Sequence, residues 1–572
     1  MMERLSTDLL VFGSGGAGLF AALHASETQP DLRITIVVKG LYGKSGCTRM
    51  VQGGYNAVLH PQDSHERHFQ DTVVGGQFLN DQALAWTLVQ QAPERILELE
   101  NRVGCRFDRN EDGTLHQKPF GGQSFDRTVH RGDLTGIEII SRLAEQVSAL
   151  PNVTILQECR GIELLPAQDG DGIAGALVLD IRRGAFMVVE APAVLMATGG
   201  GARMYRYSSP SIEKSGDGIA MAARAGAELI DMEMLQFHPT GLMAGESLLT
   251  GSVVEEGLRG AGGILLNIHG QRFMEDHDPE RLERSTRDIV SRAMYLEIMQ
   301  GRGTPQGGVW LDVSHLGSEF VNANFPGMCH RASLVGRDLG SEPIEVCPTS
   351  HFHMGGARIA PDCSTGVRGL FAAGEDAGGV HGANRLGGNG VAESTVFGAV
   401  AGDSIAAWLQ VQPAPLVDDS RVEEVVRRTT GYLDRPRGES PFALRAELGT
   451  VMWEHAGVVR DEAGLEQGLV KLADIRSRLD QLGVAGRRES NLLWGEALNV
   501  ESSLWAAEAV MRGALARRES RGAHRRSDLP EQDDPAWMCN VVLSPRPDGS
   551  YDVRTEPVAL ARVTPEHVLE RG

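Results

Sequence analysis

At 572 residues the chain is long enough for about four domains of ~150 residues, or fewer if one of them is large. Lys and Arg number 55 against 76 Asp and Glu, a formal charge of −21, which excludes the basic stripe of a nucleic-acid-binding surface. The 41% hydrophobic and 23% charged fractions are ordinary for a globular protein and exclude disorder or a collagen-like fibre as whole-chain states. Glycine is high: 70 residues, about 12% against a usual ~7%. So much glycine points to backbone that turns tightly or comes close to a ligand.

Cysteines stand at Cys47, Cys105, Cys159, Cys329, Cys347, Cys363 and Cys539, with no CxxC spacing. Neither a bound metal or cluster on thiolates nor a disulfide framework is expected from that pattern. No apolar run reaches the ~18 residues of a membrane span. Leu9–Leu23 has no basic flank, and glycines interrupt it, so it does not read as a signal peptide. The expected location is the cytoplasm.

In chain order, Asp8–Phe12 reads as an apolar strand, Leu19–Ser26 as a helix and Arg33–Val38 as a second strand. Between the first two lies Gly13-Ser14-Gly15-Gly16-Ala17-Gly18. A GxGxxG turn between strand and helix is the context of dinucleotide binding, with the helix N-terminus offered to phosphates. An acidic residue that would hold a ribose hydroxyl is missing; Lys39 stands at that strand end. That counts against free NAD and favours FAD, held by contacts scattered along the chain.

Further glycine clusters recur at Ala197–Gly201, Ser215–Gly218, His353–Gly356 and Gly369–Asn389, as if distant segments return to one ligand. The organisation expected is a cofactor-binding domain over 1–240 and 346–410, interrupted by an inserted domain at 241–345. Val411–Ser420 reads as a linker, and apolar residues at helical spacing predict a helical domain over 421–519. The segment 520–572 holds two short strands, Asn540–Leu543 and Tyr551–Val553, split by a Pro-Asp-Gly turn.

Four stretches bring His, Arg and Glu together with glycines: Gln236-Phe-His-Pro-Thr-Gly241, Glu255-Glu-Gly-Leu-Arg-Gly260, PTSHFHMGG around His351, and HGANRLGGN around Arg385. Together they make a carboxylate-binding set, because an Arg fork and His donors can hold a small dianion. These stretches, with GLFAAGE at 369–375, ESRGAHRRSDLPEQD at 519–533 and the N-terminal turn, resemble the flavoprotein subunits of succinate dehydrogenase and fumarate reductase. The L-aspartate oxidases are close relatives.

The resemblance covers almost the whole chain. It implies an α/β protein with a Rossmann-like FAD-binding domain, an inserted capping domain, a helical domain and a small C-terminal segment. FAD would lie on Gly13–Gly18 and on Lys39 to Gly54, including Ser45, Cys47, Thr48, Gln52 and Gly53. Asp217 and Glu375 would hold its polar parts, and Gly390 and Val391 would approach the isoalloxazine. His238, His351 and Arg385 match the family's clamps on substrate carboxylates. Arg287 matches the Arg that moves a proton at substrate carbon, with Glu256 and Arg259 on the path that feeds it. The activity implied is fumarate–succinate interconversion on FAD. The implied partners are an iron–sulfur subunit, then a membrane anchor or soluble reductase. This chain would then be cytoplasmic or peripheral at the cytoplasmic face of a membrane.

Three departures from the family pattern stand out. No His precedes Gln52-Gly53-Gly54, where Cys47 or Gly46 falls instead, so FAD is expected to be non-covalent, with a thioether to Cys47 as the remote alternative. Glu255 replaces a Thr that touches substrate. Two like charges at 4 Å would cost about 4 kcal/mol at an effective dielectric of 20, so Glu255 is expected to turn away from a dicarboxylate. Otherwise it would be protonated, or the ligand would not be a simple dicarboxylate. Phe120 stands where the aspartate oxidases carry an acid for the substrate ammonium, although the short SFDRTVHRGDLTG stretch is like theirs. The rival activity is therefore L-aspartate oxidation to iminoaspartate. A binding protein without catalysis does not account for Arg287, His238, His351 and Arg385 together.

Overall fold

The computed structural model describes residues 2–412 and 415–569. Positions 413–414 of the expected linker, and the chain's extreme ends, lie outside the described residues. The centre is a parallel five-stranded sheet in the order Leu370–Ala372, Ala193–Met196, Leu9–Phe12, Ile34–Val38, Val153–Gln157. The inner strands are buried at every position. Parallel strands covered on both faces need such unbroken Val/Ile/Leu runs, rather than alternation.

Two helices stack over this sheet, Gly16–Thr28 and Asn389–Leu409. They meet backbone to backbone. A Cβ at Gly398 would lie 2.7 Å from the Ala17 carbonyl oxygen, and one at Gly402 2.5 Å from that of Ala21. Only glycine permits that approach, and it brings the N-termini of both helices to one place. An antiparallel layer of Cys159–Pro166, Ile173–Asp180 and Ala185–Glu190, edged by Glu3–Ser6, completes this half of the molecule.

A second sheet orders Leu235–Leu242, Ile344–His353, Val309–Asp312 and Ile264–Leu266, all antiparallel. It has its own core, including Leu242, Leu258, Val290, Leu311 and Val346. Its first two strands straddle positions 241 and 345, so the QFHPTG and PTSHFHMGG stretches are paired neighbours at its base. Helix Arg287–Glu297 lies against them, with the Ser291 hydroxyl donating to the Phe237 carbonyl at 3.1 Å.

Helices Asp419–Thr430, Pro441–Ala456, Glu462–Arg478 and Leu492–Ala516 follow. They share one core with Asp217–Arg224 and the antiparallel layer, through Ile219, Leu448, Leu472 and Val510. The two predicted C-terminal strands form a hairpin, Cys539–Pro545 with Tyr551–Pro557. That hairpin extends a sheet begun by Leu229–Ile230 and Gly356–Arg358, so the chain end belongs to the main body.

Within the ESRGAHRRSD stretch Glu519, Ser520, Arg521, His524 and Arg526 are buried. Arg517 binds Glu233 at 2.7 Å and Glu519 at 3.1 Å, and Arg521 binds Glu519 at 2.6 Å, all fully buried. Next to them the Ala523 amide donates to the Ala383 carbonyl at 2.9 Å, two residues before Arg385. Removing one partner of such a cluster leaves buried carboxylates uncompensated. Arg517→Met is expected to cost about 3–5 kcal/mol, read as a lower apparent melting temperature and earlier flavin release on heating.

Candidate active site

The carboxyl ends of the parallel strands open into a cavity of about 700 Å³. This is where open α/β sheets bind ligands. Gly13, Lys39, Ala197 and Ala373, each just past a strand end, all line it, so the scattered glycine clusters do converge. Gly13 has φ +109, and a Cβ there would lie 2.1 Å from the Ala197 carbonyl oxygen. Its turn is therefore closed to other residues. Gly15, Gly16 and Ala17 begin the helix, and the Gly16 amide donates to the Thr48 hydroxyl at 3.1 Å.

Of the residues expected on FAD, Gly13, Ser14, Gly15, Gly16, Ala17, Lys39, Ser45, Cys47, Thr48, Gln52, Gly53, Gly54, Asp217, Glu375, Gly390 and Val391 all line the cavity. Gly18 does not. A Cβ there would strike the Gly13 carbonyl oxygen at 2.1 Å, so its part is to seat the helix on the turn. Arg259 also stands off the cavity, behind Glu256.

The two acids expected to hold polar groups already carry cations. Asp217 binds Lys39 at 2.8 Å and Arg160 at 2.6 Å. Burial opposes its charge, but Arg160 and Lys39 hold its carboxyl well below the usual range. Lys39 in turn is pushed down to about 8 by burial and by Arg160. Glu375 pairs with Lys214 and accepts the His353 amide at 2.8 Å. Burial pushes the Cys47 thiol up, so it is no ready nucleophile.

Across the cavity the capping sheet contributes a second polar wall. The Gln236 side-chain oxygen accepts from both Arg287 and Arg385, each at 3.1 Å, while its amide donates to Asn384 and to the Arg385 carbonyl. Arg287 also donates twice to Glu256, at 3.0 and 2.8 Å, and Arg259 reaches the other Glu256 oxygen at 3.4 Å. Arg385 lies with its guanidinium carbon 4.3 Å from the Phe352 ring centroid. Burial and the neighbouring Arg287 push Arg385 down to about 9. Glu256 is opposed by burial but held below the usual range by Arg287 and Arg259.

His238 and His351 face each other at 5.3 Å between ring centroids, on adjacent strands. Burial, then Arg287, keeps both far below an ordinary His, so both are neutral at pH 7. The Thr240 amide donates to His238 Nδ1 at 3.3 Å, which assigns that ring's proton to Nε2. His351 Nδ1 pairs with the Ser209 hydroxyl at 2.8 Å. Phe120 fills the space over Gly53 and Gly387, where a Cβ would come within 2.5 and 3.1 Å of its ring.

Glu255 also lines the cavity, but its carboxylate lies 3.5 Å from the Lys118 ammonium. Burial pushes it up, Lys118 opposes that, and Asp133 and Glu256 add to it. Lys118, Gln236, Lys214 and Asp133 were not anticipated as site residues. Gln236 sat inside a quoted motif, but a neutral side chain attracts no attention until two arginines are seen to share it.

A strand–turn–helix crevice with buried orphan groups, such as the Glu393 carboxyl oxygen, fits a dinucleotide cofactor, and Glu393 is pushed up to about 8 by burial and Glu375. The chain is an FAD-dependent oxidoreductase: residues 8–391 match the FAD binding domain family, and 445–568 match the fumarate reductase flavoprotein C-terminal family. It is 45% identical over 547 residues to a fumarate reductase (CoM/CoB) subunit of Methanothermobacter marburgensis, covering 95% of this chain and 98% of that one. It is 44% identical over 540 residues to an uncharacterised FAD-dependent oxidoreductase of Methanocaldococcus jannaschii, covering 94% and 96%. Its fold superimposes on the flavoprotein of E. coli quinol fumarate reductase with a TM-score of 0.93 at 33% identity, covering 99% and 98%. The chain belongs to the succinate dehydrogenase/fumarate reductase flavoprotein family. Among the described residues no helix is long and apolar enough to cross a membrane.

The crowding at Gly13 gives a direct check on the cofactor crevice. Gly13→Ala is expected to purify without flavin, measured as loss of the 450 nm absorbance relative to that at 280 nm.

Proposed function

We propose that the chain is the catalytic subunit that interconverts fumarate and succinate, on non-covalent FAD, in an electron-transfer complex. The observation that carries this reading is the wall formed by Arg287, Arg385, Gln236 and Glu256, faced by two neutral histidines. When bound, FAD supplies or accepts the hydride at N5. The chain's own groups do the rest. Arg385 presents a guanidinium fork to one carboxylate, and His238 Nε2–H is a donor for a carboxylate. Holding both carboxylates fixes the olefin and draws electron density from the carbon that receives hydride. Arg287 delivers or removes the proton at the neighbouring carbon. An Arg is a weak acid, so it needs rapid return of that proton. Glu256, bound to it at 2.8 Å and to Arg259 at 3.4 Å, is placed for that.

The rival reading, oxidation of L-aspartate, needs an anion for the substrate ammonium. Phe120 offers none, and Lys118 already occupies the Glu255 carboxylate. This favours the plain dicarboxylate. The missing His before Gln52, and a Cys47 thiol that burial pushes up, support unlinked FAD, and an unlinked flavin favours fumarate reduction over succinate oxidation. The absence of cluster spacing among the cysteines, and the subunit names of the relatives, support an iron–sulfur partner as the route for electrons, with a membrane anchor or a soluble reductase beyond it.

The test is steady-state turnover of fumarate with a reduced dye, beside L-aspartate with O₂. Fumarate turnover is expected and aspartate turnover is not; the reverse would overturn the reading. Arg287→Lys is expected to keep FAD and bind dicarboxylate nearly as before, yet lose about three orders of magnitude in kcat, because the donor's position changes more than its charge. Acid precipitation is expected to leave the yellow colour in the supernatant; colour held in the washed pellet would mean a covalent bond.

A further inference from the structure

The family position that carries a hydroxyl carries an acid here, Glu255, at the wall of a site meant for a dianion. The structure holds that acid in a particular way. Glu255 immediately precedes the short helix Glu256–Gly260, and its carboxylate lies 3.5 Å from Lys118 on the short strand Gln117–Lys118. The charged groups that act on it most strongly are Lys118, Asp133 and Glu256. Asp133 has a cation near it in Arg331, and Glu256 is taken by Arg287 and Arg259. Lys118 is thus the cation paired with Glu255. The same ammonium stands 5.9 Å from the centroid of Phe120, the ring that roofs the cavity over Gly53 and Gly387.

We propose that Lys118 is a specificity-determining residue: it draws the Glu255 carboxylate aside and neutralises it, so that a cavity wall bearing an acid still accepts a dicarboxylate. The proposal rests on the fumarate reading above. Without Lys118, Glu255 is a carboxylate on the cavity wall beside Asp133 and Glu256 that has lost its ion-pair partner. Its charge then opposes the entry of a dianion. Lys118 touches neither substrate nor cofactor in this account; it acts through Glu255. Binding should therefore change, while the proton-transfer groups Arg287 and Glu256 keep their contacts.

The experiment is a cycle of Lys118→Met, Lys118→Arg and the double variant Lys118→Met/Glu255→Thr, all as FAD-loaded protein, with fumarate and a reduced dye between pH 6 and 8.5. Lys118→Met should raise KM for fumarate about tenfold, the size expected of an unpaired like charge partly screened by water, with kcat within about threefold. The rise should shrink toward low pH, because Glu255, pushed up by burial, becomes neutral as it takes a proton. Lys118→Arg should keep KM near the parent value. The double variant should recover most of the loss, since no acid is left to mask. A Lys118→Met variant with the parent KM would overturn the proposal. So would a KM rise that neither low pH nor Glu255→Thr relieves, which would mark Lys118 as a structural residue. A parent enzyme without fumarate turnover contradicts the functional reading instead, and is distinguished by that control alone.

Discussion

The active site depends on positive charge buried with too little negative charge beside it. Arg287 and Arg385 line one wall of the cavity with Arg259 behind it, and Glu256, bound by Arg287 and Arg259, is the carboxylate that all three act on. Glu283, which lies behind Arg259, is already matched by Arg272 at 2.6 Å. Of the other acids that act on Arg385, Glu375 is paired with Lys214 and Glu393 is pushed up to about 8, so positive charge stays in excess in a low-dielectric space, where such an imbalance is costly. A substrate with two carboxylates removes it. Burial first, and then the same imbalance, keeps His238 and His351 neutral, so the His238 Nε2–H is a donor for a ligand and neither ring adds further charge.

This arrangement explains why the fold is built as it is. Two glycine-lined helices must lie nearly in contact to bring the Gly13 turn and the Asn389–Val391 helix start to one cavity. The capping sheet must pair QFHPTG with PTSHFHMGG to set the two histidines opposite each other. The buried Arg517–Glu233–Glu519 cluster fixes the segment that reaches back to Ala383, just ahead of Arg385. The clamp is thus held from three directions, by strand pairing, by the helix start and by the C-terminal segment. Gln236 ties them together, since one amide touches Arg287, Arg385 and Asn384.

Much of this was legible in the residues. The N-terminal strand–turn–helix–strand, the helical region and the C-terminal hairpin follow from periodicity and turn chemistry, which are local. The family resemblance supplied the clamp residues, and geometry brings them to one wall. What could not be read were pairings between distant residues. Lys118 is an ordinary lysine until the fold sets it against Glu255, 137 positions on. Gln236 and Lys214 are likewise meaningful only through their partners. Gly18 completes a cofactor-binding motif, and its crowding against Gly13 fits the packing role of that motif's third glycine. The glycine spacing encodes both roles alike, and only the direction of the missing Cβ separates them.

The central claim is that the cavity has the charge of a dianion site. Its most direct test is equilibrium binding, not turnover. Succinate, butyrate and L-aspartate can be titrated into the oxidised FAD-loaded protein and followed by the flavin absorbance. The account predicts saturable binding of succinate, with butyrate weaker by at least about two orders of magnitude, because one guanidinium fork and the excess charge stay unmatched. Binding of butyrate as tight as that of succinate, or of L-aspartate tighter than either, would contradict it.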